Sequence, residues 1–193
     1  MTTLLDSTPP QPQLHQWTVD DYHRMIEAGL LVGCQVELLF GEIIEMSPEG
    51  PLHTHSGEGI AQYLRQQLSG KAWIREARPI TLSTSEPEPD IAVVRLPWNQ
   101  YRQRHPRPAD VYWLIEISDS SLYIDNGRKL QAYAQANIAE YWIVDLKHQQ
   151  VSVCRQPNGN TYDSQQTLTT GKIASLAFPG LSIPVKLLLE GEF

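Results

Sequence analysis

The sequence has few cysteines, no long apolar run and no surplus of positive charge, and each shortage excludes a class of protein. Cys34 and Cys154 are the only cysteines, too few for a disulfide framework and outside any metal-type spacing. Free thiols in a bacterial-style cytosol are expected, and with them a cytoplasmic protein. No apolar stretch approaches the ~20 residues that a membrane-spanning helix needs, so no membrane segment is expected. The N-terminus lacks a basic start and a long apolar segment, so no secretory signal is expected. Fifteen Lys and Arg stand against 22 Asp and Glu, a net charge of −7. That balance argues against a protein that coats nucleic acid, because phosphate contacts need Lys and Arg. Also missing are the phosphate-cradling G-x-x-x-x-G-K-[ST] loop, H-E-x-x-H and the G-x-S-x-G elbow. His53-Thr54-His55 has no third ligand nearby in sequence and is a weak zinc signal.

What is present is the composition of a soluble globular protein, 41% hydrophobic and 19% charged. The 193 residues suffice for one domain with a real core. Residues 17–193 are assigned to it, and residues 1–16, rich in Pro, Thr and Gln, to a flexible tail. Thr18 is placed to cap a helix whose first turn holds Asp20 and Asp21. Residues 36–46 read as a β-hairpin turning at Phe40-Gly41. Residues 53–68 read as a helix with Ile60, Ala61, Leu64 and Leu68 on one face, ended by Gly70. A strand is predicted over 72–82, and another opens with Asp90 and runs to Val94. Residues 96–110 form a long loop, a length often functional. A buried strand over 111–117, a helical stretch carrying Asp125 and Lys129, and a strand over 141–144 follow. A hairpin is predicted from 150–155 and 161–169, turning at 157–160. A short strand at 172–174 and an apolar stretch at 185–189 close the chain.

The chemistry concentrates in the middle. Alternation along 111–118 places Tyr112, Leu114, Glu116 and Ser118 on one face. Glu116 is then the lone charge among apolar neighbours, either an acid paired with an Arg at the core's edge or a functional group. Asp90 opens one strand and Glu116 nears the close of another. If those strands are antiparallel neighbours, the two carboxylates converge, and two carboxylates plus waters are how proteins hold Mg²⁺. Lys129 falls four residues after Asp125, which fits an ordinary surface ion pair. It equally fits a lysine over the strand's end that orients water and offsets phosphoryl charge. Glu37 is a salt-bridged edge residue or an acid of the site, and His53 a helix-start residue or a participant. Arg95, Arg102, Arg104, His105 and Arg107, with Trp98 and Tyr101 among them, form a solvated loop or a nucleic-acid-binding one beside the site.

Three stretches carry a resemblance: VELLFGEIIEMSPEGPLH (36–53), EPDIAVV (88–94) and EISDSSLYIDNGRKLQAYAQANIAEYWIVDL (116–146). They resemble the Uma2 family, formerly a domain of unknown function, within the PD-(D/E)XK nuclease superfamily. The resemblance implies an α/β, restriction-endonuclease-like fold: a mixed central β-sheet flanked by helices, with additional hairpins. It also implies a metal-dependent phosphodiesterase site. Asp90 matches the superfamily's Asp and Glu116 its Glu, but Ser118 stands where Lys is usual. Lys129 looks like the migrated lysine of this branch, Glu37 like an additional acid, and His53 like a recurrent histidine. Asn137 and Ala139 stand where Gly and Pro are usual in a turn. The expectation is that Asp90, Glu116 and the Ile117 carbonyl hold Mg²⁺ or Mn²⁺. Lys129 and Glu37 join the two acids in catalysis, with His53, Ser118 and Asp125 as accessories. The activity expected is that of an endonuclease on nucleic acid, chiefly DNA. A symmetric homodimer would supply one site per strand. The alternatives are a catalytically inactive binding protein of the same fold and a hydrolase of smaller phosphodiesters or nucleotides.

Overall fold

The computed structural model describes residues 14–192, so residues 1–13 of the expected tail lie outside it. Helix α1 (Val19–Glu27) starts where Thr18 accepts from the Asp21 backbone N–H at 3.1 Å, while the Asp21 carboxylate accepts from the Thr18 N–H at 3.2 Å. That reciprocal cap satisfies two otherwise orphaned donors. Strands β1 (Val36–Leu39) and β2 (Glu42–Glu45) pair antiparallel. Their two-residue turn holds Phe40 at φ 54° and Gly41 at φ 76°, the twist a tight hairpin requires. A Cβ on Gly41 would lie 2.7 Å from that of Gln16. Helix α2 (Pro51–Gln67) follows, with Pro in the first turn, where its missing N–H costs nothing.

The central sheet has six strands in the order β3 (Trp73–Glu76), β4 (Ile91–Val94), β5 (Val111–Ser118), β6 (Glu140–Asp145), β7 (Gln150–Asn158) and β8 (Thr161–Leu168). Only β5 and β6 run parallel; every other pairing is antiparallel. A parallel pair needs a crossover. Here it is made by α3 (Leu122–Ile124), a π-helical turn (Asp125–Lys129) and α4 (Leu130–Gln135). Two further strands, β9 (Lys172–Ala174) and β10 (Ser182–Pro184), pair with each other, and α5 (Val185–Glu190) ends the described fold. The fold is thus the mixed sheet flanked by helices that the sequence led us to expect. No helix among the described residues is long and apolar enough to cross a membrane.

Each face of the sheet has its own core. Trp113, Ile115, Ile117, Trp142 and Val144 meet Ile60 and Leu64 of α2 and Leu188 of α5 on one face. Leu114, Tyr141 and Ile143 meet Leu130, Tyr133 and Ala134 of α4 on the other. Glu116 therefore faces α4. The alternation of β5 fails at one place. Val93 faces Trp113 but Val94 faces Val111, so Tyr112 is the extra residue of a bulge. It packs with Phe178 on the α2 face, opposite to the side simple alternation predicts.

Two other expectations are corrected, and one stretch left without a secondary structure gains one. The strand predicted over 72–82 ends at Glu76, because Ala77 turns to φ 41° and Pro79 cannot donate to a ladder. Ile80 and Leu82 instead bury individually, with Ile80 N–H bound to the Pro87 carbonyl at 3.0 Å. Strand β7 runs on through Pro157, which pairs with Tyr162. Beyond Arg155 it has no β6 neighbour, so the missing N–H leaves no gap in a ladder. The apolar stretch near the end is helical, with Val185, Leu187, Leu188 and Leu189 buried.

Helices α2 and α5 touch through backbone at Gly59, where an added Cβ would sit 1.9 Å from the Gly191 carbonyl oxygen. Gly59→Ala should cost about 1–3 kcal/mol through overpacking, lowering Tm by roughly 2–10 °C. Gly180→Ala, with open space around its Cβ, should melt like the wild type. Equal thermal midpoints for all three proteins would refute the close approach.

Candidate functional site

Register brings the site together. Because Ile91 of β4 faces Ile115 of β5 in an antiparallel pair, Asp90 falls beside Glu116 and Ile117. The Ile117 N–H donates to Asp90 Oδ2 at 2.6 Å, and the Asp90 N–H to Glu116 Oε2 at 3.3 Å. A strand residue's N–H and C=O point to the same side, so the Ile117 carbonyl lies on the β4 edge of β5.

Lys129 comes from the crossover that closes over the end of β5. Its Nζ lies 3.1 Å from Glu116 Oε1, 3.5 Å from Glu37 Oε2 and 4.0 Å from Asp125 Oδ1. It also donates to the Glu88 carbonyl at 3.5 Å. Glu116 is 1% exposed and Lys129 7%, so the Asp125–Lys129 spacing is not a surface pair. Asp125 Oδ2 accepts from the Ser118 and Ser121 hydroxyls at 2.7 and 2.6 Å. Ser118, where the resemblance led us to expect lysine, thus binds the acid one turn before Lys129. Glu37, delivered by β1, accepts from the Glu88 N–H at 3.1 Å.

Sequence reasoning missed two members. The Tyr133 hydroxyl donates to Glu116 Oε1 at 2.7 Å; its position four residues after Lys129 was the available signal. Glu49 lies with His53 and Asp90, one donor atom from each within 4.8 Å of the others. His53 Nε2 is 3.2 Å from Asp90 Oδ2, and its Nδ1 is 3.6 Å from Glu49 Oε2.

The charged groups among these line one cleft of about 90 Å³, walled by the end of the β1–β2 hairpin, the start of α2 and the residues after β5. Glu37, Glu88, Asp90, Glu116 and Asp125 line it, against a single lysine and His53. Burial pushes the Glu116 carboxyl well up, against the pull of Lys129 and with the help of Asp90, Asp125 and Glu37. Burial likewise raises Asp125 and Glu88. Burial opposes the charge on Lys129, but Glu116, Glu37, Asp125 and Asp90 outweigh it and raise its pKa. The cleft is short of positive charge.

The arginines are elsewhere. None of Arg95, Arg102, Arg104 and Arg107 lines this cleft. Arg95 follows the far end of β4, with its guanidinium over the Tyr112 ring. Arg104 pairs with Asp110 at 2.5 Å. Arg102, Arg104 and Arg107 border a separate hollow with His23 and Glu86.

Removing the ammonium tests the network. Lys129→Met leaves Glu116 buried and unpaired and should cost about 3–5 kcal/mol near pH 8. Glu116, already raised by burial, then holds its proton more tightly folded than unfolded. The folded state binds more protons, so stability falls as pH rises above the unfolded carboxylate range. Urea melts should therefore show a smaller deficit at pH 5.5 than at pH 8; a deficit independent of pH would contradict this.

No curated protein matches the chain. Among solved structures it is similar to "a putative nuclease belonging to DUF820 from Anabaena variabilis ATCC 29413". The TM-score is 0.64 over 81% of this chain and 90% of that one, at 16% identity, a likeness of fold. The profile described as "Uma2: Putative restriction endonuclease" matches residues 19–186. That span runs from α1 into α5 and takes in Glu37, His53, Asp90, Glu116 and Lys129; the chain belongs to the Uma2 family.

Proposed function

We propose that the chain is a metal-dependent nuclease that hydrolyses nucleic-acid phosphodiester bonds, with DNA as the expected substrate, through the cleft over Asp90, Glu116 and Lys129. The observation that carries this reading is the surplus of carboxylates over cations in a cleft with a buried lysine. That donor chemistry fits a divalent ion such as Mg²⁺ or Mn²⁺. Asp90, Glu116 and the Ile117 carbonyl would hold it. When bound, such an ion lowers the pKa of water and offsets charge on the leaving oxygen.

The chain's own groups have separate tasks. Tyr133 and Lys129 fix Glu116 from one side, and the Asp90 N–H from the other. Ser118 and Ser121 fix Asp125. Lys129, held by Glu116 and Glu37, is the one positive side chain aimed at the place where negative charge would develop. The cleft's volume is about that of three waters, enough for a phosphoryl group and well below a usual small-ligand pocket. This favours a polynucleotide laid across the mouth over an enclosed nucleotide. Tyr123, 75% exposed at the rim, offers a ring face on which a base can stack. The acidic rim makes cations necessary for a phosphate to approach. The reading includes one domain over residues 17–193, a cytoplasmic location and a homodimer that places one site on each strand.

Supercoiled plasmid tests the reading. With Mg²⁺ or Mn²⁺ the wild type should nick it, and Asp90→Asn should be slower by about 10²–10³-fold, the scale of losing one preorganised group. EDTA should stop both. Equal rates for the two proteins, or cleavage that survives EDTA, would defeat the assignment. DNA binding without turnover would move the chain to the non-catalytic alternative.

A further inference from the structure

We infer that Glu49, His53 and Asp90 form a second cation position at the α2 side of the cleft, suited to a borderline transition ion such as Mn²⁺ or Zn²⁺ rather than Mg²⁺. The inference shares Asp90 with the proposed function, but it concerns binding and stands apart from turnover.

The two sides of Asp90 differ. On the Glu116 side the acceptors are engaged: Oε1 by the Tyr133 hydroxyl and Lys129, Oε2 by the Asp90 N–H. On the α2 side, His53 Nδ1 is buried and has no hydrogen-bond partner, 3.6 Å from Glu49 Oε2. A buried nitrogen without a partner calls for an explanation. Three donors, one from each residue, lie within 4.8 Å of one another. Donors on a tetrahedral ion at about 2.0–2.2 Å sit about 3.3–3.6 Å apart, so side-chain movements of about an ångström close the site.

Local structure explains the grouping. Glu49 precedes α2 and His53 lies in its first turn, four residues on. Asp90 immediately precedes β4. A second hollow, bounded by Thr54, Glu58 and Glu76, reaches the same three residues from the far side of His53. An ion can therefore enter without passing Lys129. Glu49 is the solvent-facing member, with 43% of its side chain exposed.

The imidazole decides the class of ion. Nitrogen with two carboxylates suits Mn²⁺, Co²⁺, Ni²⁺ and Zn²⁺, with affinity rising from Mn²⁺ through Co²⁺ to Ni²⁺. Mg²⁺ prefers oxygen ligands and retains water.

The test is calorimetric titration of the metal-free full chain at pH 7.5 with Mn²⁺ and, separately, Mg²⁺, followed by Mn²⁺ electron paramagnetic resonance. One Mn²⁺ should bind at least about tenfold more tightly than Mg²⁺. Glu49→Gln, a change at an exposed side chain, should weaken Mn²⁺ by about tenfold or more, the scale seen on losing a ligand's support. His53→Gln should erase the preference for Mn²⁺, and Glu116→Gln should keep it. The His53 ring protons should broaden before those of the other histidines at substoichiometric Mn²⁺. Equal affinity for the two ions overturns the inference, as does a His53→Gln protein that binds Mn²⁺ like the wild type; the three residues are then an ion-paired cluster. Tight Mn²⁺ binding without plasmid cleavage upholds the site and defeats the nuclease reading. Cleavage without a His53-dependent preference does the reverse.

Discussion

Beneath the cleft a single ammonium group is surrounded by carboxylates: Lys129 Nζ lies within 4.0 Å of Glu116, Glu37 and Asp125. Each of these groups is almost wholly removed from water, and none would be tolerated there alone. Among the described residues the lysine is the one cation that reaches all three. Desolvation opposes it and the acids outweigh desolvation. The consequence is mutual dependence, since strand β1, the end of β5 and the crossover helix are tied at one atom. Removing it leaves three elements each carrying an uncompensated charge.

The sheet topology exists to make that meeting. Antiparallel β4 and β5 bring the start of one strand to the end of the other, which aligns Asp90 with Glu116. The parallel step from β5 to β6 forces the chain back over the sheet, and that return carries Asp125, Lys129 and Tyr133 across the face where Glu116 points. The opposite face is sealed by α2 and α5, with Trp113 and Trp142 fully buried. That face is apolar except at the start of β6, where the buried Glu140 accepts from Trp142 Nε1 and pairs with Arg155; the other face contains the lysine network at one end.

How much of this was legible in the sequence depended on range. The cap at Thr18 and the hairpin at Phe40-Gly41 rest on local chemistry, and both were readable. Glu116 stood out as a charge in an apolar strand, but its meeting with Asp90 required a pairing direction that spacing alone does not fix. Tyr112 could not be placed, because its face depends on a bulge set by the partner strand. The strand predicted over 72–82 was overextended because Ile80 and Leu82 are apolar for reasons of individual burial, not of pairing. Glu49 carried no sequence signal, since an exposed acid before a helix is ordinary. The arginines clustered in sequence, yet their loop belongs to the far end of β4 and to another hollow.

The wide π turn from Asp125 to Lys129 sits at the middle of the crossover. Such turns hold one residue more than an α-helical turn of the same rise. Five residues in this wide turn cover nearly the rotation that four cover in an α-helix. Deleting Asn126, Gly127 or Arg128 would therefore restore ordinary pitch while Leu130 and Tyr133 kept their core contacts. The serine-anchored acid and the lysine would then stand three residues apart instead of four, so the loss of one codon would leave the fold in place and alter the spacing of its charged partners.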